Sequence, residues 1–389
     1  MTTEVVEPRS DAEIIAEFGP EWVVFWSGGG VRASQFAIWA PYLRRSRYRF
    51  VVVSTGGTTS DSVRDEIAAM PNVELLASWP DAKPWLKAVP TLRGFLYVGN
   101  HVENYEAINA FRGLVHIWIG HGDSGKAANA FRTASIFDSV FMGDYAAIGR
   151  FPRAIRRWVG QGACAIGVPI VEGVVADPWD RPRPVRTVLY APTWEGYGPK
   201  VDYSSLGEFG PVLRDALPAL TQAGVTVLLR PHPGSGSRHR PEFKSMVEEL
   251  VAAGAVRDKD KTRAFATADV LISDVSGVVG EFLFTRKPTV ITTSARLAGI
   301  KRSGKMGDEY PWVDLWPVEG LDLAARLDEL GRRDPMRSAR ARAANRMFRG
   351  HRSLEDAVRT FDIALDSVRF RKTPIPPRWV FEVRRRLRR

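Results

Sequence analysis

The sequence has little cysteine: Cys164 is the single cysteine among 389 residues. One thiol excludes an intramolecular disulfide and is typical of a reducing compartment. Its apolar neighbours Ala163–Ile166 predict a packed thiol rather than a nucleophile. No apolar run approaches the ~20 residues that cross a bilayer. Because Met1–Glu17 is polar and rich in acids, we expect no signal peptide.

Several catalytic signatures are also missing. No group of His, Cys, Asp and Glu residues has the spacing of metal ligands. Neither a Gly-x-Ser-x-Gly elbow nor a Walker-type loop is present. We therefore expect no metal site and no cofactor.

Positive charge is concentrated at the C-terminus. The chain carries a net charge of +11, but residues 369–389 hold nine Lys/Arg against one Glu, which leaves +3 for the other 368 residues. Trp379, Val383 and Leu387 recur at helical spacing among the arginines and predict a narrow apolar stripe. Such a segment can lie on an anionic membrane surface. A disordered solubilising tail is the alternative, whereas nucleic-acid binding is poorly supported because no recognised module accompanies the tail.

Strand candidates alternate with helical stretches along most of the chain, from Trp22–Trp26 onward and again from Thr187–Ala191. This alternation predicts βαβ units with parallel sheets, and therefore an α/β fold. One helical stretch, Tyr145–Trp158, contains four arginines, for which a solvated face is the default interpretation.

The proline-rich segment 176–184 is the best candidate for a domain boundary. We expect a Rossmann-like acceptor-side domain over residues 1–178 and a nucleotide-donor-binding domain over residues 179–366. A basic amphipathic tail would follow over residues 367–389. In such folds the carboxyl edges of the two parallel sheets face an interdomain cleft, where ligands bind.

The stretch 267–284 combines a buried strand, a polar turn and a helix start. Val270–Ile272 is apolar, Ser273–Gly277 is small and mostly polar, and Val278–Phe284 predicts the first turns of a helix. Backbone N–H groups and the positive helix end would then meet at the carboxyl edge of the sheet, where they can hold a diphosphate.

Four residues of this stretch are predicted to contact the donor: Asp274, Ser276, Gly277 and Glu281. Glu281 would lie about one turn into the helix, where it can accept hydrogen bonds from ribose hydroxyls. The alternative is an ordinary connection from strand to helix that Asp274 or Ser276 caps.

A histidine follows the strand candidate Val115–Ile119. His121 stands between two glycines, which expose its imidazole, and its ordinary pKa suits proton abstraction from a hydroxyl. Lys126 could place a cation on a phosphate. A histidine satisfied by backbone contacts is the alternative.

A second histidine closes the strand candidate Val225–Leu229. Two prolines hold His232 in a stiff, extended segment in which Arg230 can grip a phosphate with two hydrogen bonds. His232 can donate to a phosphoryl oxygen as charge builds in the transition state. Thr193, at the end of another strand, could also bond phosphate, although capping its own turn is the simpler role.

Four motifs, in order along the chain, resemble the CDP-glycerol glycerophosphotransferase family, which includes teichoic acid primases and polymerases. The resemblance runs from about Trp22 to Leu365. The motifs are Gly120-His-Gly-x-x-x-Lys126, Tyr190-Ala-Pro-Thr193, Arg230-Pro-His-Pro233 and Asp274-x-Ser276-x-x-x-x-Glu281.

The resemblance implies a GT-B architecture, a donor nucleotide on the C-terminal domain and no obligatory metal. It also implies that His121 is the base for the acceptor hydroxyl and that His232 supports the donor phosphates. Within the last motif, three positions depart from the family: Val275 replaces an aromatic residue, Gly277 a second Ser and Glu281 a late Asp. These departures bear on the identity of the donor more than on the fold.

From these patterns we predict a transferase that moves glycerol phosphate, or a similar polyol phosphate, from a CDP-activated donor to a hydroxyl of a lipid-linked cell-wall or capsule polymer, releasing CMP. We expect it in the cytoplasm, peripheral at the inner face of the membrane through residues 369–389, without a nucleic-acid partner. The alternatives are a GT-B glycosyltransferase that uses a nucleotide sugar and a non-catalytic, membrane-associated nucleotide-binding partner.

Overall fold

The computed structural model describes residues 11–26, 33–55, 59–76, 78–99, 101, 103–120, 131–299 and 310–371. The chain folds into two compact units. Unit 1 comprises the described residues up to 120, together with 131–166 and 355–371. Unit 2 comprises the described residues from 167 to 354.

Unit 1 is built on one parallel sheet. Its strands are β1 (Trp22–Trp26), β2 (Phe50–Ser54), β3 (Val73–Leu76), β4 (Gly94–Tyr97), β5 (Val115–Trp118), β6 (Ser139–Met142) and β7 (Ala163–Ala165). They pair in the order β3-β2-β1-β4-β5-β6-β7, and all the described pairs are parallel. The helices before and between them are α1 (Asp11–Phe18), α2 (Ala33–Ala37), α3 (Ala40–Arg45), α4 (Asp61–Ala68), α5 (Trp79–Leu86), α6 (Asn104–Ala110) and α7 (Arg153–Gly162). Every residue of β1 and β2 is buried, as expected for central strands covered on both faces.

Unit 2 repeats this plan. Its strands are β8 (Thr187–Ala191), β9 (Thr226–Leu229), β10 (Val256–Arg257), β11 (Val270–Ser273), β12 (Thr289–Thr293) and β13 (Asp314–Pro317). They pair in the order β10-β9-β8-β11-β12-β13, again in parallel. The helices are α8 (Phe209–Gln222), α9 (Glu242–Ala252), α10 (Lys261–Thr267), α11 (Gly277–Phe282), α12 (Ala295–Gly299), α13 (Leu323–Arg332) and α14 (Arg337–Met347). The helix that follows, α15 (Leu354–Ser367), belongs to unit 1 from its second residue onward.

The predicted helix Tyr145–Trp158 is wrong in its first half. Residues Tyr145–Arg150 form a 3₁₀ turn, which begins at Asp144, whose side chain accepts the backbone N–H of Ala146. The α-helix α7 begins only after Pro152. Proline has no backbone N–H to donate and its ring crowds the preceding turn, so Pro152 disfavours a continuous helix at this position.

The segment 176–184 packs against unit 2. Trp179 is buried in the core of that unit, and the guanidinium of Arg183 lies 4.2 Å above its ring. Asp177 forms an ion pair with Lys287, 3.6 Å apart. These contacts attach the segment to unit 2. The boundary between the two units lies at 166/167, earlier in the sequence than the predicted domain boundary at 178/179, which stays a prediction.

Helix α15, which we assigned to the C-terminal domain from the sequence, packs on unit 1. The carboxylate of Asp362 accepts the hydroxyl of Ser46 and the backbone N–H of Arg47. The ring of Phe361 lies 5.7 Å from that of Trp39. Among the described residues, no helix combines the length and the apolar character that crossing a bilayer requires.

Candidate functional site

The predicted donor-binding residues of unit 2 follow three neighbouring strands. Thr193 comes shortly after β8, Arg230 directly after β9, and Asp274 directly after β11. Because β9, β8 and β11 are adjacent and parallel, their carboxyl ends lie at one edge of the sheet. Ligands of open α/β sheets bind at this edge.

Asp274 connects two loops at this edge of the sheet through hydrogen bonds. Its buried carboxylate accepts the backbone N–H of Thr193, at 3.0 Å and 3.1 Å from its two oxygens. It also accepts the backbone N–H of Ser205 at 2.9 Å and the hydroxyl of Ser205 at 3.1 Å. These contacts make Asp274 a positioning residue for two loops, and its predicted contact with the donor phosphate stays a prediction.

His232 is held in one orientation. Its Nδ1 accepts the backbone N–H of Gly234 at 3.0 Å, and its ring stacks on that of Trp194 with centroids 5.7 Å apart and 17° between the planes. Its own backbone N–H donates to the carbonyl of Pro192 at 3.1 Å. Since an accepting Nδ1 carries no proton, the proton of the neutral ring is on Nε2. His232 can therefore donate from Nε2, as the predicted phosphate contact requires.

Arg230 is anchored from behind. Its Nη1 donates to the backbone carbonyls of Asp258, at 3.4 Å, and of Lys259. Burial lowers the pKa of Arg230, while the charges of Glu281 and Asp258 act in the opposite direction, and an arginine keeps its charge at neutral pH. The anchored Nη1 sets the direction of the planar guanidinium. A phosphate would accept hydrogen bonds from its other N–H groups. The phosphate contact itself stays a prediction.

Glu281 has a cationic partner that none of the four motifs contains. The ammonium of Lys261 lies 3.1 Å from its Oε2, and both side chains are at least partly buried. Lys261 is the first residue of α10 and directly follows Asp260, which caps this helix. No motif specifies the contact of Lys261 with Glu281, which lies 20 positions away in the sequence. The predicted contact between Glu281 and ribose stays a prediction. Within the described ranges, no group of three or more His, Cys, Asp or Glu residues is placed to hold a metal.

The turn between β11 and α11 has the predicted form. Ser276 occupies the N-cap position of α11 in an extended conformation, and its side chain makes no capping hydrogen bond. The alternative in which the Ser276 hydroxyl caps the helix is therefore not observed. At Gly277, an added Cβ would meet open space within 4 Å. The glycine is thus not required by packing, and whether Ser276 and Gly277 contact phosphate stays a prediction.

A second buried carboxylate, Glu195, was missed by sequence reasoning. It accepts the backbone N–H of Gly236 at 3.0 Å and that of Arg238 at 2.8 Å, which ties the loop after β8 to the loop after β9. Gly196, with a φ of +70°, turns the chain directly after it, and an added Cβ would lie 2.7 Å from the carbonyl oxygen of Val201. The signal in the sequence is an acid placed directly after Pro192-Thr-Trp at a strand end.

The first predicted catalytic residue cannot be placed. His121 and Lys126 lie outside the described residues, so their predicted roles as base and phosphate contact stay predictions. The strand before them, β5, ends at Trp118, one residue before the predicted end at Ile119, and Gly120 has a φ of +65°. The carbonyl of Gly120 accepts the indole N–H of Trp39 at 2.6 Å. A Cβ at position 120 would lie 2.9 Å from the Trp118 ring, so glycine is required there.

The fold matches solved transferase structures. The wall teichoic acid polymerase TagF, as a variant soaked with CDPG, is similar with a TM-score of 0.52 and 14% identity, over 95% of this chain and 90% of that chain. A glycosyltransferase from Rickettsia africae ESF-5 is similar with a TM-score of 0.53 and 12% identity, over 90% of this chain and 98% of that chain. With the two parallel sheets, these similarities confirm the predicted GT-B fold class.

The family comparison goes beyond the fold. Residues 176–295 match the CDP-glycerol:poly(glycerophosphate) glycerophosphotransferase family. The matched segment contains three of the four motifs that carried the resemblance, and the resemblance is confirmed. Over this segment the chain is similar to transferases of the CDP-glycerol glycerophosphotransferase type. No curated protein matches the chain.

Proposed function

We propose that this protein transfers glycerol phosphate from CDP-glycerol to a hydroxyl group of a cell-wall polymer. The acceptor is a lipid-linked glycan or polyol-phosphate chain, and CMP is the leaving group. The family match over residues 176–295 supports the donor and the class of acceptor. The arrangement of Arg230 and His232 at the edge of the sheet supports phosphoryl transfer.

The proposed reaction is a phosphoryl transfer at this edge of the sheet. The acceptor oxygen attacks the β-phosphorus of the donor and forms a new P–O bond, while the bond from that phosphorus to the bridging oxygen breaks. CMP leaves with the electron pair, and the acceptor proton passes to His121, the predicted base. Arg230 and the Nε2–H of His232 stabilise the negative charge that develops on the phosphoryl oxygens.

The observation that carries the proposal is the fixed orientation of the His232 ring. Because Gly234 donates to Nδ1 and the ring is stacked on Trp194, the imidazole presents its Nε2–H in a fixed direction. A donor that is oriented before the substrate arrives costs no reorganisation during the reaction.

A turnover assay tests this function. The full-length protein is incubated with CDP-glycerol and a short synthetic glycerol-phosphate oligomer, and released nucleotides and extended oligomers are quantified. We expect CMP and extended oligomer in equal amounts, and a kcat lower by about 100-fold or more in His232→Ala. His239→Ala is the matched control, because His239 lies in the same loop and its side chain contacts Asp202 instead.

Two outcomes would contradict the proposal. Release of a nucleoside diphosphate from a nucleotide sugar, with no CMP from CDP-glycerol, would identify a glycosyltransferase. Donor binding without turnover, equal in the wild type and in His232→Ala, would identify a non-catalytic nucleotide-binding protein.

We further infer that the protein is peripheral at the inner face of the membrane through residues 369–389. The described start of this segment is fixed on unit 1: the backbone N–H of Arg371 donates to Asp138 at 2.7 Å, and its guanidinium lies 3.8 Å above the ring of Trp158. The positive charge of the segment suits an anionic surface. Co-sedimentation with phosphatidylglycerol vesicles, lost on truncation after Arg371 and absent with phosphatidylcholine vesicles, is the expected result. Equal sedimentation of the full and truncated chains would contradict it.

A further inference from the structure

Two loops at the edge of the unit 2 sheet are joined into one rigid surface. The loop after β8 contributes Glu195, whose buried carboxylate accepts N–H groups from Gly236 and Arg238 in the loop after β9. A buried carboxylate bonded to two backbone donors fixes both segments, since losing either bond would leave a buried polar group unsatisfied. The backbone that carries the neighbouring side chains is therefore fixed in both loops.

Three rings on these loops form a continuous series. His232 stacks on Trp194, and Trp194 meets Tyr197 at 82° with centroids 5.0 Å apart. Trp194 is half-buried, but Tyr197 is 77% exposed. An aromatic side chain that a rigid loop holds largely exposed to water is typical of a binding surface rather than of a core. The series leads from the predicted phosphate contact outward to solvent.

A cation accompanies the exposed ring. The guanidinium carbon of Arg238 lies 5.5 Å from the centroid of Tyr197, and the residue is exposed. Because the backbone of Arg238 is bonded to Glu195, the position of this charge does not depend on its side chain alone. An aromatic face beside a guanidinium is suited to a ligand that alternates C–H surface with phosphate anions.

The helices that follow these two loops and the helix that carries the predicted ribose contact differ in the core they pack into. The loops that carry Tyr197 and Arg238 lead into α8 and α9, whose buried side chains share one core. Glu281 lies on α11, which contacts α10 through Phe282 and Phe265, with centroids 5.2 Å apart and both rings outside that core. The ring series is therefore connected to a different set of helices from Glu281.

We propose that Tyr197 and Arg238 form the subsite for the acceptor chain, with the Tyr197 ring against the C–H face of a polyol unit and Arg238 on a phosphodiester. The ligand class is a polyol-phosphate polymer. This inference rests on the proposed function, because it names the surface that leads the acceptor toward His232. It also differs from the domain-level expectation that the acceptor side is the N-terminal domain alone.

Steady-state kinetics of the full-length protein test the subsite. For the double variant Tyr197→Ala/Arg238→Ala, we expect the KM for a short synthetic glycerol-phosphate oligomer to rise about tenfold or more. The KM for CDP-glycerol and the kcat at saturating oligomer should stay within about twofold of the wild type. The backbone bond from Arg238 to Glu195 is unaffected by the substitution, so the loops keep their connection.

Matched controls separate charge and ring from general surface effects. Arg214→Ala removes an exposed arginine from α8, and Tyr145→Ala removes an exposed tyrosine from unit 1. Neither residue belongs to the proposed subsite. Both should leave the KM for the oligomer unchanged. If the double variant unfolds at a lower temperature than the wild type, the conservative variants Tyr197→Phe and Arg238→Lys test the subsite instead. Each keeps part of the contact and should raise the KM for the oligomer less than alanine at the same position does.

Direct binding distinguishes failure of the subsite from failure of the proposed function. Calorimetric titration of the oligomer into the protein, without CDP-glycerol, should give weaker binding to the double variant than to the wild type. Absence of glycerol phosphate transfer by the wild type would overturn the proposed function, while the titration would still decide the subsite. Equal binding to both proteins, or a raised KM for CDP-glycerol instead of the oligomer, would overturn the subsite.

Discussion

The carboxylate of Asp274 accepts the backbone N–H of Thr193 across 81 positions of sequence, at 3.0 Å and 3.1 Å from its two oxygens. The same carboxylate holds Ser205. Two residues that we predicted to touch the donor separately are therefore parts of one hydrogen-bonded unit. The chemistry of this edge depends on a buried acid that organises its neighbours.

Replacing Asp274 should destabilise unit 2. Asp274→Ala removes the acceptor of two buried backbone N–H groups, and we expect a loss of roughly 3–5 kcal/mol in the free energy of unfolding. Asp274→Asn keeps the shape and one acceptor oxygen and should cost less. Urea titration followed by circular dichroism measures both. Asp215→Ala, at an exposed position, is the control and should change stability by about 0.5 kcal/mol or less; an equal loss in both variants would contradict the role of Asp274.

Restoring a hydroxyl at Gly277 should strengthen donor binding. Because an added Cβ meets open space, Gly277→Ser should fold normally, and its hydroxyl adds a hydrogen bond of about 0.5–1.5 kcal/mol to a phosphate. We expect the KM for CDP-glycerol to fall by about two- to tenfold. Gly196→Ser is the contrasting variant, since its positive φ and the nearby Val201 carbonyl oppose any side chain. A higher KM in Gly277→Ser would show that this turn does not face the donor phosphates.

His116 should make unit 1 sensitive to acid. Burial lowers the pKa of His116 to about 4, while its bond to the Phe111 carbonyl acts in the opposite direction. The unfolded chain binds this proton near pH 6.5 and the folded chain does not, so stability is complete above pH 6.5 and falls as the pH decreases toward 4. The total loss is about 3 kcal/mol.

The measurement for His116 is the free energy of unfolding as a function of pH, in the wild type and in His116→Gln. Burial raises the pKa of Asp138, which accepts the His116 backbone N–H, so this acid opposes the effect in both proteins. The difference between the two curves isolates the imidazole. A difference that stays constant from pH 7 to pH 4 would contradict the prediction.

The buried ion pair between Arg340 and Asp334 should be costly to break and inexpensive to replace. Both side chains are almost completely buried, and Arg340 also donates to the carbonyl of Arg286 at 2.9 Å. Arg340→Met leaves a buried carboxylate without its partner and should cost about 3–5 kcal/mol. The double variant Arg340→Met/Asp334→Leu should cost clearly less, as denaturant titration would show. Arg332→Met, which breaks an exposed pair, should cost about 1 kcal/mol or less.

The central strands were predictable because their residues are buried on both faces. Thr187–Ala191 and Trp22–Trp26 were expected with the bounds that the structure shows. The strands that were missed stand at the ends of the sheet order, and two of them are largely exposed: Val256–Arg257 and Asp314–Pro317. An edge strand has one neighbour and mixed burial, so it lacks the apolar run by which a strand is recognised.

The order and chemistry of the donor motifs were determined by the sequence itself, since a strand followed by a short polar turn places its next residues at the edge of a parallel sheet. The partners of those residues were decided only by the tertiary structure. Glu195 accepts the backbone N–H of Arg238, which lies 43 positions away, and Lys261 pairs with Glu281, which lies 20 positions away. No local pattern in the sequence specifies either contact. Periodicity encodes which face of a strand or helix is buried, whereas a hydrogen bond between distant loops depends on how the elements pack.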